Sequence, residues 1–420
     1  MTPKGGDGAF AGWGLKVVSF CHYLQGPACS QYLADMGADV IKVEPISGAF
    51  ERHWSGGNSY VNGVSMFSLA VNRNKRSIAL NLKDERGKAI ALDLVRRADV
   101  LVENYRTGVM DRLGLGFETV KSINPRIVYA SASGLGRDGP DASRPGQDLL
   151  MQARSGLAAV TGGGDCAPVA VGAAIVDQHG GALLAMGILA AYINMLRTGL
   201  GTRVESNLFS AAIDLQVEAL TKYFAAPNRR GRLKRGRNVG SWYHDAPYGV
   251  YRLQDASIAL SMNDPNNLAD ALDSAELRSL SGLDRYEHRE KYATAVAAIL
   301  EKMQFADVAG VFNAHKIWFQ RIQDYEDLLQ DQQALHNSVF EEIDVKGTRT
   351  TLITHPLRYD GKVPKTRTMP LDPGSDSIAI LDELGYSKDD QESLIREKVV
   401  GVPASRPEGS KPRSSTTGPS

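Results

Sequence analysis

The first half of the chain alternates short runs of apolar, mostly β-branched residues with longer segments whose apolar residues recur every three or four positions. The short runs predict strands and the periodic segments predict helices. Because helices separate the strands, the pattern favours parallel βαβ units and an α/β sheet that is covered on both faces. Strands are expected at residues 15–20, 39–44, 77–82, 99–103 and 126–132, and helices at 31–36, 84–97 and 117–123.

The middle and the end of the chain differ from this pattern. Residues 228–238 contain six basic residues, and a pair of short strands and several helices are predicted after them. The basic segment 229–237 is interpreted as a solvated loop, or as a contact with an anionic ligand. The expected organisation is a large domain at 1–210, a smaller α+β domain at 225–337, a return to the large domain at 338–400, and a disordered Pro-, Ser- and Gly-rich tail at 401–420.

Composition narrows the class of protein. The chain has 420 residues, of which 43% are apolar and 23% charged, as in ordinary soluble globular proteins. Lys and Arg together number 48, as do Asp and Glu, and this balance argues against nucleic acid or a membrane surface as a partner. The three cysteines form no CxxC motif, and no targeting segment is visible, so a cytoplasmic protein with reduced thiols is expected. The longest apolar run, 181–196, is expected to be a core helix rather than a membrane span.

One glycine motif suggests a nucleotide site. Gly134, Gly136 and Gly139 fit the GxGxxG pattern and follow a predicted strand. A dinucleotide site also needs a helix that opens within the motif, whereas residues 140–146 have the composition of a loop. The segment therefore predicts a flexible loop at the ligand-binding edge of the sheet. No motif for a metal site is present, and none is expected.

Asp177 is the one acid in an apolar segment, 171–196, that has no basic residue before Arg197. Asp is a preferred N-cap residue, and a cap contributes about 1 kcal/mol. A carboxylate can also attack an activated acyl group and form a covalent intermediate. The local sequence leaves both interpretations open, and they are not exclusive.

Five blocks of the sequence lie at residues 26–44, 72–83, 98–116, 124–140 and 171–181. Taken together, they resemble the class III CoA-transferases, a family that includes formyl-CoA transferase and the carnitine CoA-transferases. The blocks follow one another in order between about residues 14 and 210, and weaker similarity resumes at 319–333 and 381–394. The resemblance implies an interlocked homodimer, with a Rossmann-like large domain from both chain ends and a smaller domain from the middle.

The resemblance also implies a mechanism in which Asp177 is the nucleophile. Asp177 would attack an acyl-CoA to give an aspartyl-acyl anhydride, and the CoA thiolate would then form an aspartyl-CoA thioester and release the first acid. A second carboxylic acid would leave as its CoA ester. CoA and acyl-CoA are then substrates, with succinyl-CoA as a candidate donor, and no permanently bound cofactor is expected.

Contacts with CoA follow from the same resemblance. Two basic positions of the family are occupied by Pro45 and Pro145, although Arg144 adjoins the second. The polyglycine loop of formyl-CoA transferase is replaced by NVGSWYHDAPYG at 238–249, which argues against formate or oxalate as a substrate. The residues assigned to CoA are Leu24, Gln25, Leu80, Lys83, Asn104, Tyr105, Arg112 and Arg144.

Two other functions are considered. The α-methylacyl-CoA racemases of the same superfamily carry a histidine where this chain has Gln147, and glutamine cannot relay a proton as imidazole does. A dimer that binds acyl-CoA without catalysis is the other alternative, and the presence of Asp177 argues against it. The sequence therefore favours a transferase.

Overall fold

The computed structural model describes residues 13–226 and 233–403, apart from the side chain of Asp165. Its strands are β1 (Lys16–Phe20), β2 (Asp39–Glu44), β3 (Tyr60–Val61), β4 (Val64–Ser65), β5 (Lys75–Leu80), β6 (Val100–Glu103), β7 (Val128–Ser133), β8 (Arg203–Asn207), β9 (Gly249–Arg252), β10 (Ser257–Leu260), β11 (Phe319–Arg321), β12 (Phe340–Val345), β13 (Thr348–Ile353) and β14 (Val400–Gly401).

The α-helices follow the same numbering along the chain. They are α1 (Gln25–Asp35), α2 (Phe50–His53), α3 (Met66–Asn72), α4 (Glu85–Arg97), α5 (Val109–Arg112), α6 (Phe117–Ile123), α7 (Asp148–Arg154), α8 (Leu157–Val160), α9 (Ile175–Thr198), α10 (Leu208–Asp214), α11 (Val217–Ala225), α12 (Pro265–Ala271), α13 (Ala275–Leu280), α14 (Arg289–Leu300), α15 (Phe305–Ala314), α16 (Tyr325–Leu329), α17 (Gln332–His336), α18 (Ser377–Leu384) and α19 (Lys388–Arg396).

A seven-stranded sheet has the order β14-β5-β2-β1-β6-β7-β8. The neighbours from β5 to β7 pair in parallel, so that Val18 of β1 lies opposite Ile41 of β2 and Leu101 of β6, whereas β14 is antiparallel to β5. The inner strands are buried along almost their whole length, as is typical of a parallel sheet that is covered on both faces. The predicted α/β class, with a mostly parallel central sheet, is confirmed.

The strand predicted at 77–82 begins and ends two residues earlier, at Lys75–Leu80. The shift arises because Lys75 is buried, although a charged residue normally indicates a strand boundary. Its ammonium group donates hydrogen bonds to the carbonyl oxygens of Pro27 and Val71 and to Oδ1 of Asn72. These three acceptors compensate the lost hydration of the group.

The chain divides into two compact units, of which the first contains the seven-stranded sheet. It comprises the described residues up to Ala132, together with Leu184–Glu205 and the residues from Glu341 onwards. One core cluster contains Ile90 and Leu94 of α4 and Ile380 of α18, and another contains Leu33 of α1. The strands separate these clusters, since alternate residues point to opposite faces.

Helix α9 is longer than the apolar run 181–196 that predicted it. By length and composition alone the helix could cross a membrane, a test that a core helix also passes. Leu184, Ile188 and Met195 recur along one side of α9 and are buried in the same cluster as Leu33. This packing agrees with the predicted core helix.

The second unit comprises Ser133–Leu183 and Ser206–Phe340. Its antiparallel sheet has the order β11-β10-β9, and the pairing of β9 with β10 confirms the predicted strand pair. Residues 133–183 group with this unit, whereas the predicted large domain ran without interruption from 1 to 210. A shared apolar cluster explains the grouping, because Met151 of α7 and Val176 of α9 pack with Leu208 and Ala211 of α10.

Candidate active site

In the first unit, the loops that follow β1 and β6 are joined at the carboxyl edge of the sheet. The side chain of Asn104 accepts a hydrogen bond from the His22 N–H at 2.9 Å and donates one to the His22 carbonyl oxygen at 2.7 Å. The His22 ring lies 4.9 Å from the Tyr23 ring and 5.0 Å from the Tyr105 ring, between centroids. Asn104 and Tyr105, both predicted to contact CoA, are thus brought together with the loop that contains Leu24 and Gln25.

Burial sets the protonation of these aromatic groups. It lowers the pKa of His22, despite the nearby carboxylate of Glu51, and it raises the pKa of Tyr105 to about 12. His22 is therefore a neutral imidazole and Tyr105 a neutral phenol at neutral pH. Neither group can offer a formal charge to a phosphate at this edge.

Two buried ion pairs support the same loops. Lys42 Nζ lies 2.7 Å from Glu51 Oε1, and Glu51 Oε2 accepts the N–H of Tyr23. Arg52 donates two hydrogen bonds to Glu44, at 2.6 Å each. Burial alone would raise the pKa of Glu44, but the hydrogen bonds and charge of Arg52 outweigh it and bring the pKa down to about 2.

The remaining predicted CoA contacts of the first unit differ in exposure. Leu80 is buried in a core cluster, so its side chain faces the protein interior. Lys83 is exposed and follows β5. Gln25 is the first residue of α1, and its Nε2 is buried with no hydrogen-bond partner in the described part of the chain. Such a donor is costly to leave unpaired, which is consistent with a ligand contact.

Three arginines are candidates for phosphate binding, and two of them lie in the first unit. Arg112 ends α5 and is exposed, and Arg106 is an exposed cation directly after Tyr105 that the sequence analysis did not identify. The sequence feature that could have identified Arg106 as a candidate is its position in a loop that follows a buried strand. The third, Arg144, lies in the second unit, where its Nε is 3.0 Å from Asp141 Oδ1. These assignments stay predictions.

Asp177, in the second unit, lies inside the first turn of α9 rather than before it. The helix begins at Ile175, and Asp148 Oδ2 accepts the N–H groups of Val176 and Asp177 at 2.7 and 3.0 Å. A carboxylate from α7 thus satisfies backbone donors at the start of α9. The interpretation of Asp177 as the N-cap residue is therefore wrong.

Asp148 is itself held by Gln152, one turn later in α7. Gln152 Nε2 donates to Asp148 Oδ1 at 2.5 Å, and Gln152 Oε1 accepts the N–H of Val171 at 2.9 Å. Gln147, the position that distinguishes the racemases, precedes α7 and is exposed.

His179 has a structural partner. Its Nε2 lies 2.8 Å from Oδ2 of Asp214, at the end of α10. Successive residues of a helix are about 100° apart, so His179 lies about 200° around α9 from Asp177. The imidazole therefore connects α9 to α10 on a different side of the helix from Asp177.

The glycine-rich loop has no helix within its motif, because β7 ends at Ser133 and α7 begins only at Asp148. The prediction of a loop in this segment is therefore confirmed. The backbones of Gly134 and Gly146 cross so closely that a Cβ atom on Gly134 would lie 2.5 Å from the Gly146 Cα. The glycines thus allow the loop to fold back on itself.

The segment 238–249, which replaces the polyglycine loop, forms a compact turn in the second unit. Ser241 Oγ lies 2.6 Å from Nδ1 of His244, whose ring stacks on Tyr248 with 4.0 Å between centroids. Burial lowers the pKa of His244, and the charge of Lys222 adds to this effect. Arg229 and Arg230 of the basic segment lie outside the described residues.

Comparison with known proteins identifies the family. The sequence pattern of CoA-transferase family III matches residues 13–376. An acyl-CoA transferase of Fusarium pseudograminearum is 32% identical, over 93% of this chain and 87% of that protein. The acetyl-CoA:oxalate CoA-transferase of Acetobacter aceti is 36% identical over 73% and 78% of the two chains, and the succinyl-CoA:glutarate CoA-transferase of Mus musculus is 32% identical over 79% and 76%.

The fold has a close counterpart among solved structures. A CAIB/BAIF family protein from Brucella suis superposes with a TM-score of 0.76 and 28% identity, over 88% of this chain and 98% of that one. The family match extends over both units of the chain, and it includes Asp177. The chain therefore belongs to CoA-transferase family III, and it is an acyl-CoA:carboxylate CoA-transferase that uses CoA thioesters as substrates.

Proposed function

We propose that this enzyme transfers CoA between two carboxylic acids, with Asp177 as the covalent carrier. The observation that carries the proposal is the position of Asp177 in the first turn of α9, with backbone donors of that turn bound by Asp148. Because Asp148 accepts those donors, the N–H groups of Val176 and Asp177 do not need the Asp177 carboxylate as their acceptor.

The proposed reaction proceeds through two intermediates on Asp177. One Asp177 oxygen attacks the thioester carbonyl. The CoA thiolate leaves, and an aspartyl-acyl anhydride remains. The thiolate attacks the aspartyl carbonyl of the anhydride, which forms an aspartyl-CoA thioester and releases the first acid. The second acid attacks that thioester and forms a new anhydride, and the thiolate then attacks its acyl carbonyl, which restores Asp177.

The surroundings of Asp177 agree with this chemistry. Val176 is buried and Asp177 is partly buried, in agreement with a site that restricts water. Exclusion of water matters because an anhydride hydrolyses readily.

The names of the relatives support a choice of donor and acceptor. The names of two of them specify dicarboxylic acceptors, oxalate and glutarate, and one specifies succinyl-CoA as the donor. We propose succinyl-CoA as the donor and a dicarboxylic acid as the acceptor, with glutarate preferred, because the polyglycine loop of formyl-CoA transferase is replaced at 238–249. Chromatography of the CoA esters formed from a panel of acids tests this assignment.

We also propose a cytoplasmic homodimer in which CoA phosphates contact Lys83, Arg106 and Arg112. All three cations are exposed in the first unit, where Lys83 and Arg106 lie in loops that follow strands and Arg112 is the last residue of α5. The outer side of α9 supports the dimer, because Met186 and Leu196 are exposed there and such apolar surface often marks an interface.

Replacement of Asp177 by Asn tests the mechanism. The variant should remain folded and lose turnover by roughly 10³-fold or more, because an amide cannot form the anhydride. Peptide mass spectrometry after incubation with succinyl-CoA should find an adduct on Asp177 in the wild type only. Asp214→Asn is the matched control, since Asp214 contacts His179 rather than Asp177, and it should retain turnover.

Two results would contradict the proposal. Normal turnover of Asp177→Asn would show that the carboxylate is not the nucleophile. Exchange of the α-proton of an acyl-CoA, without any adduct, would favour the racemase alternative instead.

A further inference from the structure

Gln152 is buried in α7, and both ends of its amide are used. Its nitrogen donates to Asp148 Oδ1 and its oxygen accepts from the Val171 backbone, at 2.5 and 2.9 Å. An amide can satisfy this donor and this acceptor in only one of its two flipped orientations. The side chain is therefore fixed by the two contacts.

These contacts lie at the two ends of one segment. Asp148 and Gln152 are four residues apart and share a face of α7. Gln152 binds the backbone at Val171, where the segment begins, and Asp148 binds it at Val176 and Asp177, where the segment enters α9. One face of α7 thus holds both ends of the stretch that leads to Asp177.

The amide of Gln152 also fixes the rotation of the Asp148 carboxylate. The terminal torsion of an Asp side chain is soft, so a carboxylate without a second partner can turn. With Oδ1 bound to Gln152, Oδ2 is directed at the N–H groups of α9. Loss of the Gln152 contact would allow Oδ2 to leave the Asp177 N–H.

We infer that Gln152 is a positioning residue for the transfer reaction and acts on Asp177 through Asp148. The inference rests on the proposed role of Asp177 as the nucleophile. A displacement of about 1 Å at a reacting group can reduce a rate by about 100-fold. The effect should appear in the acylation of Asp177, with little change in the KM for the acyl-CoA.

Two substitutions test the inference. Gln152→Met removes both hydrogen bonds, and it should lower the rate of Asp177 acylation by about 10- to 100-fold at every pH. Gln152→Glu should behave like Gln152→Met at high pH, where the new carboxylate cannot donate to Asp148. Its rate relative to wild type should rise as the pH falls, because the protonated carboxyl group can donate to Asp148 and accept from Val171.

The rate is measured as succinate released from succinyl-CoA in the first half-reaction, with the Asp177 adduct followed by mass spectrometry. Asp148 is the ionisable group that contacts the Gln152 amide. The pair Arg154–Asp141 involves α7, and His179–Asp214 joins the two neighbouring helices. All of these groups are also present in the wild type. Dividing the acylation rate of the variant by that of the wild type at each pH therefore cancels the effect of their titration.

Gln391→Met is the matched control. Gln391 is also buried, and its Nε2 donates to Asp382 Oδ1 at 2.7 Å in the first unit. Its replacement should lower the unfolding midpoint by a similar amount and change the acylation rate less than about 2-fold, since Nε2 of Gln391 donates to Asp382 and Tyr386, and Gln391 belongs to a different unit from Asp177.

Several outcomes separate this inference from the proposed function. An acylation rate of Gln152→Met within 2-fold of wild type, or a Gln152→Glu rate ratio independent of pH, would overturn the positioning role while leaving Asp177 as nucleophile. Full turnover of Asp177→Asn would instead overturn the proposed function. If Gln152→Glu does not fold, Gln152→Asn, which has a shorter side chain with an amide, is tested instead. A reduced acylation rate at unchanged KM supports the positioning role of Gln152, and an unchanged rate overturns it.

Discussion

Two carboxylates near the start of α9 have different tasks. Asp148 accepts backbone N–H groups of the first turn, and Asp177 is placed within that turn. The sequence could suggest only one acid at a time, because Asp148 and Asp177 are far apart in the chain and no spacing rule connects them. The family resemblance indicated the nucleophile, and the structure identifies the acid that binds the backbone.

A buried carboxylate in the first unit should govern part of the response to acid. The pKa of Glu44 is lowered from 4.5 to about 2, so the group contributes stability above about pH 4.5 and loses it as the pH falls towards 2. A difference of this size corresponds to about 3 kcal/mol. Glu44→Gln should lower the free energy of unfolding at pH 7 by about 3–5 kcal/mol, because Arg52 stays buried without its partner.

Denaturant unfolding at several pH values checks this prediction, and the deficit of the variant should shrink as the pH falls below 4.5. Glu383→Gln is the control, since Glu383 is exposed, and its ion pair with Arg76 should contribute less than about 1 kcal/mol. A deficit of Glu44→Gln that stays constant down to pH 2 would contradict the assigned pKa.

At the scale of elements, the strength of the hydrophobic pattern decided which strands and helices could be predicted from the sequence. Strand β2 and helix α6 were predicted with their observed bounds, because β2 contains three β-branched apolar residues and the apolar residues of α6 recur at every third position. Strand β8, Arg203–Asn207, was missed, since its sequence RVESN has one apolar residue and it forms a strand through its place beside β7. The association of residues 133–183 with the second unit was also missed, because it depends on packing between α7, α9 and α10.

The crossing of Gly134 and Gly146 predicts a steric effect. Gly134→Ala should lower the free energy of unfolding by about 1–3 kcal/mol, because its Cβ would lie within 3 Å of the Gly146 backbone. Gly282→Ala is the matched control, since no atom lies within 4 Å of its added Cβ, and it should change stability by less than about 1 kcal/mol. Equal unfolding midpoints for the two variants would show that the loop relaxes without cost.

At the scale of the whole molecule, the first unit depends on both halves of the chain. Strand β14 extends the sheet at β5, and the Gly401 carbonyl oxygen accepts a hydrogen bond from Ser377 Oγ at 2.7 Å. Val399 and Val400 are buried in the same core cluster as Ile78 and Leu80 of β5. An edge of the main sheet is thus completed only by residues near the end of the chain.

Removal of β14 should therefore destabilise the first unit. Truncation after Lys398 deletes Val399 and Val400, each of which contributes about 1.5–3 kcal/mol when fully buried. The truncated protein should unfold at a lower temperature in circular dichroism and lose turnover in parallel. A second truncation after Pro403, which retains all of β14, should keep both properties, and equal melting temperatures for the two truncations would contradict the role assigned to β14.

The cap that Asp148 supplies to α9 has a consequence for protein engineering. Where one residue both starts a helix and reacts, any change of the reactive group also weakens the fold, and a screen for new chemistry mostly returns unfolded protein. Here the backbone contacts that start α9 are made by a residue of another helix. Position 177, the proposed nucleophile, can therefore be changed to a thiol or a longer carboxylate without removing the two backbone contacts that Asp148 makes with α9.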